Sequence, residues 1–254
     1  MIRYLSLIAA FIATPLIAQE QVVVDLSQNR VSITANFSGS EIFVFGAVKR
    51  DTPLAEGIAP LDVAIVVEGP LVPTTVRKKE KKFGIWVNAE SVQIDAAPSF
   101  FTVATTGPLE EILNEGELRD YAIGVNYAVR PQAHSDEGVD IESFSEAVAR
   151  IRMDDGLYSE REGIVTLTSE TLFNTSIKLP ANLVEGDYTA RIYLIRDRSI
   201  VADTSVEISV RKVGLERWLY NLAHEQALIY ALLSLAVALL AGYGASAFFR
   251  LLKR

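Results

Sequence analysis

The sequence predicts a mainly β protein: an immunoglobulin-like β-sandwich ectodomain with a small helical insert, followed by one C-terminal transmembrane helix. Three observations point there. Short runs of alternating apolar and polar residues, separated by Gly, Pro and Asn, recur along most of the chain, as in the half-buried strands of a sandwich. Between about residues 108 and 156 the apolar spacing changes from two to three and four, which is a helical period. Residues 227–249 hold 23 residues without a charge, more than the roughly 20 that a bilayer core requires.

Composition narrows the chemistry. The chain has 254 residues and no cysteine, which excludes a disulfide framework, thiolate metal sites and cysteine nucleophiles. Its two histidines, His134 and His224, are too few for a multi-histidine zinc site. All 32 acidic residues lie between the N-terminal and C-terminal apolar blocks, with 20 of the 24 basic ones, so that span carries a net charge of −12. An exported domain of this size without cysteine fits a bacterial periplasm.

The elements follow in order. Residues 1–18 have the layout of an export signal: Arg3, an apolar stretch from Leu5 to Phe11, then Pro15 and a cut expected after Ala18. An uncleaved short anchor is the alternative. From residue 19 strand signals dominate. "QVVVDLS" opens the series, and "RVSITANFSG" alternates Val31, Ile33, Ala35 and Phe37. "EIFVFGAV" and "LDVAIVVEGP" are continuous apolar runs, as expected of central strands buried on both faces. "KFGIWVN" alternates Phe83, Ile85 and Val87, and "SVQID" and "SFFTVATT" follow. Turns are expected at Ser38-Gly39, Gly57, Gly69-Pro70, Asn88 and Pro98.

The insert contains "PLEEILNEGELRDYA", with Pro108 at a helix start, and a better helix in "DIESFSEAVARIRMDDG". There Ile141, Phe144, Val148 and Ile151 form an apolar stripe. Ser143 and Glu146 have capping-box spacing, and Gly156 is a suitable stop. Strands return at "REGIVTLTSETLFNTSIKLP" and "EGDYTARIYLIRDRSIVADTSVEISVRK", the second a hairpin turning at "RDRS". The periplasmic region is expected to end at residue 213. Residues 214–226 form an amphipathic juxtamembrane segment, with Trp218 and Tyr220 as interfacial anchors. The transmembrane helix takes residues 227–249. Arg250, Lys253 and Arg254 in the tail, residues 250–254, are expected on the cytoplasmic side of a bacterial inner membrane.

Little in the sequence points to catalysis, and no cofactor is expected. The carboxylate pairs are turn-like. His134, Asp136, Glu137 and Asp140 lack the alternating ladder of a calcium loop, and no Gly-x-Ser-x-Gly or phosphate-binding glycine loop occurs. Two other features stand out. In the membrane helix Ser234, Ala238, Gly242 and Ser246 recur every four residues, a stripe of small residues that lets helices approach closely. An integral membrane partner or a second copy is therefore expected, besides the lipid bilayer. In "VRKKEKKFGIWVN", Arg77, Lys78, Lys79, Lys81 and Lys82 face only Glu80. Compartment and net charge exclude nucleic acid. Either the lysines guard a strand edge against aggregation, or Lys78, Lys79, Lys81, Lys82 and Trp86 form a docking surface for lipid head groups or an acidic partner loop.

The phrases "FGIWVNAESV", "APSFFTVATTGPL" and "IKLPANLVEGDYTARIYLIRD", ahead of a C-terminal membrane helix, resemble those of the alpha-proteobacterial transmembrane protein family. The resemblance covers nearly the whole chain after residue 18. It supplies no catalytic residues and implies, by gene neighbourhood, companionship with sulfite-exporter-type permeases. The function expected is a membrane-anchored periplasmic accessory or interaction subunit. A periplasmic module binding a small solute or cation is the alternative.

Overall fold

The computed structural model describes residues 20–34, 36–50, 57–129, 133–134 and 140–252. The export signal expected over residues 1–18 lies outside them. The chain is mainly β, with one C-terminal apolar helix. Its strands are β1 (Gln21–Leu26), β2 (Arg30–Ile33), β3 (Ser40–Lys49), β4 (Asp62–Glu68), β5 (Leu71–Lys82), β6 (Ile85–Pro98), β7 (Phe101–Thr105), β8 (Ala133–His134), β9 (Tyr158–Arg161), β10 (Thr166–Thr168), β11 (Leu172–Leu179), β12 (Gly186–Arg196) and β13 (Ser199–Lys212). The helices are α1 (Leu109–Ile112), α2 (Glu115–Asp120), α3 (Val125–Ala128), α4 (Ile141–Asp154), α5 (Leu215–Glu225) and α6 (Ala227–Leu252).

Among the described residues the strands form three sheets, ordered β1-β3-β11-β10, β2-β13-β12-β4-β7-β9 and β5-β6-β8. The six-stranded sheet is mixed: β2 runs parallel to β13 and β9 parallel to β7 at its two edges. One apolar cluster lies between the four- and six-stranded sheets, where Ile42, Val44, Phe173 and Ile177 meet Val63, Ile65, Ile192 and Ile208. A second covers the other face of the six-stranded sheet, where Ala64, Val66, Val103 and Tyr193 meet Leu113, Ile123, Phe144 and Val148 of the helical stretch. β4 is therefore buried on both faces, as its continuous apolar run implies.

β3 departs from that expectation. Its Ile42, Val44 and Val48 point into the core, but Phe43 and Phe45 stand exposed on the outer face. The helices of the β-rich part pack on the six-stranded sheet and on the base of β5 and β6, so nothing within the described chain lies over this side of β3. In α4 the cap is Asp140, whose carboxylate accepts from Ser143 N at 3.4 Å, rather than Ser143. Its buried face is Phe144, Ser145, Val148 and Ala149, while Ile151 is half exposed. Ser145 fits there because its hydroxyl donates to Ile141 O, 3.1 Å away.

β4 passes through Gly69-Pro70 into β5, and β6 passes through Ser99-Phe100 into β7. The ladder continues across this kink: Gly69 N donates to Phe100 O at 2.8 Å and Ser99 N to Pro70 O at 2.9 Å. Residues 62–105 are thus one long kinked hairpin. Its turn is Phe83-Gly84, both at positive φ (51° and 85°), the pattern of a type I′ turn. Phe83 therefore sits in the turn, not in the strand with Ile85 and Val87. Asn88, expected as a turn, lies inside β6 opposite Lys79.

Candidate membrane and docking surfaces

The hairpin arm formed by β5 and β6 has a buried base and a bare tip. At the base Val92 and Ile94 belong to the second apolar cluster, and β8 adds two pairs, Gln93 with His134 and Ile94 with Ala133. Arg152 of α4 donates to Ser99 O at 3.2 Å and to Thr74 Oγ1 at 3.1 Å. Tyr158 donates its hydroxyl to Pro98 O at 2.7 Å, and the Arg152 guanidinium sits 5.9 Å from its ring centre. Burial pushes the Tyr158 phenol far above its ordinary value; Arg152 opposes that and Glu68 adds to it. The phenol stays a neutral donor.

Towards the tip the register pairs Lys78 with Glu90, Lys79 with Asn88, Lys81 with Trp86 and Lys82 with Ile85, with an irregularity between Lys78 and Lys79. Two loose ion pairs form, Lys78–Glu90 at 3.5 Å and Lys82–Glu80 at 3.7 Å. Lys79 and Lys81 have no ion-pair partner among the described residues. Phe83 is fully exposed, Trp86 68% and Ile85 65% exposed. The structure thus brings Lys78, Lys79, Lys81, Lys82 and Trp86 to one tip.

This arm and the membrane helix leave the six-stranded sheet at the same end. Along β12, Gly186 pairs with Val210 of β13 and Thr189 with Glu68 of β4, while Glu68 pairs with Phe101 of β7. β4 and β13 therefore end at the same end of the sheet, on either side of β12. From the first the chain runs into the arm, and from the second into α5.

α5 presents Trp218 and Tyr220, both exposed, and Tyr220 stacks on His224 with ring centres 4.1 Å apart. The helix breaks at Gln226 (φ −135°, ψ 56°) before α6. Among the described residues one helix is long and apolar enough to cross a membrane, over Ala227–Ser246, and none of it is buried. Ser234, Ala238, Gly242 and Ser246 are all exposed on it. The Ser234 hydroxyl is taken up by its own helix, donating towards Tyr230 O (2.9 Å) and Ala231 O (3.0 Å). Its contribution to a stripe is therefore small size rather than a free donor. A Cβ on Gly242 would meet nothing within 4 Å.

The outer face of the four-stranded sheet is a feature that sequence reading missed. Val23, Phe43, Phe45 and Leu172 line an apolar groove of ≈ 440 Å³ there, all of them exposed. Register brings them together: Val23 and Leu172 both pair with Ala47, on either side of β3, and the Phe43 and Phe45 rings lie 6.3 Å apart. The alternation Phe43-x-Phe45 was the only available signal, and it was hidden inside a run apolar on both faces. Of the acidic loop, Asp136 and Glu137 lie outside the described residues, His134 is in β8 and Asp140 caps α4. Among the described residues no group of three or more potential metal ligands gathers.

No curated protein matches the chain. A family model described as "Putative transmembrane protein (Alph_Pro_TM)" matches residues 21–251, from β1 through nearly all of α6. With that apolar helix, the match makes this a membrane-associated protein, and the chain belongs to this transmembrane protein family.

Proposed function

We propose that the protein is a single-pass accessory or interaction subunit of a bacterial inner-membrane complex. The β-rich part, an elaborated immunoglobulin-like sandwich, would follow a removed export signal and stand in the periplasm. The tail at residues 250–254 would be cytoplasmic, an orientation that rests on its three basic residues. The reading is non-enzymatic. It is carried by the outer face of the four-stranded sheet, where Val23, Phe43, Phe45 and Leu172 lie together uncovered. Single exposed apolar residues are ordinary, but a contiguous apolar patch marks an interaction surface. The uncovered α6, with its small-residue stripe, supports the same reading within the bilayer. The partner class implied by the family resemblance is a sulfite-exporter-type permease.

The test is site-specific photo-cross-linking of the full chain in native membranes, with the cross-linker at Asn174, beside Phe45 in the register. An adduct with a polytopic membrane protein is expected. Phe43→Ser with Phe45→Ser should reduce it at least tenfold, and Gly242→Leu should weaken it. The Cβ that Gly242→Leu adds meets no other part of the described chain within 4 Å, so a loss reports on helix association. An adduct pattern indifferent to all three substitutions would overturn the proposal.

A further inference from the structure

We propose that the tip of the β5–β6 arm is a second membrane contact, independent of any protein partner. It would seat Phe83, Ile85 and Trp86 at the acyl boundary of the bilayer that α6 enters, while Lys79, Lys81 and Lys82 engage anionic phospholipid head groups.

Four observations carry this. The first is Phe83. A two-residue turn with positive φ favours Asn, Asp or Gly, and a bulky side chain there is disfavoured. Phe83 nonetheless has φ 51° and touches so little that it is fully exposed. Neither turn geometry nor packing selects it. Guarding an edge requires only lysine, and leaves three large exposed apolar side chains without a role. The second is chemistry. Trp beside Lys is the pairing of the membrane interface, where the ring occupies the head-group level and the ammonium reaches outward along its apolar stem. Lys81 lies directly opposite Trp86, and Lys82 opposite Ile85.

The third is reach. The arm leaves the sheet at the same end as the chain to α6. The 12 residues of β5 extend about 40 Å at strand rise. The 11 residues of α5 span only about 16 Å. The arm is therefore long enough to reach the surface from which α6 descends. The fourth is charge. The body of the domain is acidic and an anionic surface repels it, but screening confines such fields to about 8 Å at physiological salt. The tip, about 20 Å at strand rise beyond Val76, where β5 last packs on the body, presents its own positive charge. Each lysine lost should lower membrane partitioning roughly fivefold.

The chain has no cysteine, so one label can be placed cleanly. Phe83→Cys in the full chain, labelled with a nitrobenzoxadiazole fluorophore, is reconstituted into vesicles of phosphatidylcholine with phosphatidylglycerol, or of phosphatidylcholine alone. Asp197→Cys, in the exposed β12–β13 turn at the opposite end of the sheet, is the reference. Nitroxide on the lipid acyl chains should quench the Phe83 site several-fold more than the Asp197 site in anionic vesicles. That excess should fall at least tenfold on combined Lys79→Glu, Lys81→Glu and Lys82→Glu, and be much reduced in phosphatidylcholine. Circular dichroism checks that the variant is folded. Equal quenching at the two sites would overturn the proposal, as would an excess that survives charge reversal or is undiminished in neutral lipid. Loss of the cross-linked partner would leave this result unaffected.

Discussion

Tyr158 ties three parts of the chain together: β9, which carries it, the end of β6, whose Pro98 carbonyl it satisfies, and α4, whose Arg152 lies over its ring. Tyr193 lies in the same apolar cluster and Tyr188 in the other, and in all three burial pushes the phenol up. In the unfolded chain each would ionise near 10. Their folded-state values lie higher, so above that pH the unfolded state binds fewer protons than the folded one and stability falls. We expect stability insensitive to these groups below about pH 9. It should decline above pH 10 by up to about 1.4 kcal/mol per pH unit for each phenol held neutral. Tyr158→Phe should cost about 1–2 kcal/mol at neutral pH by removing a donor from a buried carbonyl, and should shallow the alkaline decline. Urea melts at pH 8, 10 and 11 check both, and an unchanged alkaline slope would contradict the assignment. No local pattern in "LYSE" marks this tyrosine. The same holds for Glu20, which is buried between Arg50 (2.7 Å) and Arg196 (2.9 Å), partners 30 and 176 positions away. Such pairings depend on register between distant strands.

Two strands show what an apolar run tells and what it does not. "EIFVFGAV" and "LDVAIVVEGP" look alike, yet only the second, in β4, is covered on both faces. A run reports that both faces are apolar; whether a layer lies over each is decided by where the helices pack, and among the described residues they leave the outer face of the four-stranded sheet bare. The exposed Phe43 and Phe45 follow from that asymmetry. The long hairpin was legible in pieces, as turn and strand signals, but not as one element, because Gly69-Pro70 looks like a turn. It is instead a kink held by close packing. A Cβ on Gly69 would stand 2.6 Å from Ser99 Oγ, 2.9 Å from the Tyr188 ring and 3.1 Å from Phe100 N. Gly69→Ala should therefore force the two strands apart at the base of the arm and destabilise by roughly 1–3 kcal/mol, several degrees in Tm. Trypsin should then cut within residues 77–82 faster than in the unaltered protein. An unchanged Tm with unchanged cleavage would mean that the kink relaxes at no cost.

For the whole molecule, the fold and the anchor are physically separable. The apolar clusters of the β-rich part end at Val210, the helix breaks at Gln226, and the candidate span in α6 is uncovered throughout. The span was legible because 23 uncharged residues are a local signal. That the arm leaves from the same end of the sheet as the chain to the span was not, since this follows from β12 pairing with β13 on one side and β4 on the other. β13 itself must be kept whole, because Val213 N donates to Ile33 O at 2.9 Å and closes its pairing with β2. A chain of residues 20–214 should consequently fold without detergent and melt cooperatively within a few degrees of the full chain in micelles. It should also keep the alkaline decline set by its buried tyrosines. If the anchor contributed packing to the β-rich part, the shortened chain would instead lose 10 °C or more, or expose its clusters to a dye that binds apolar surface.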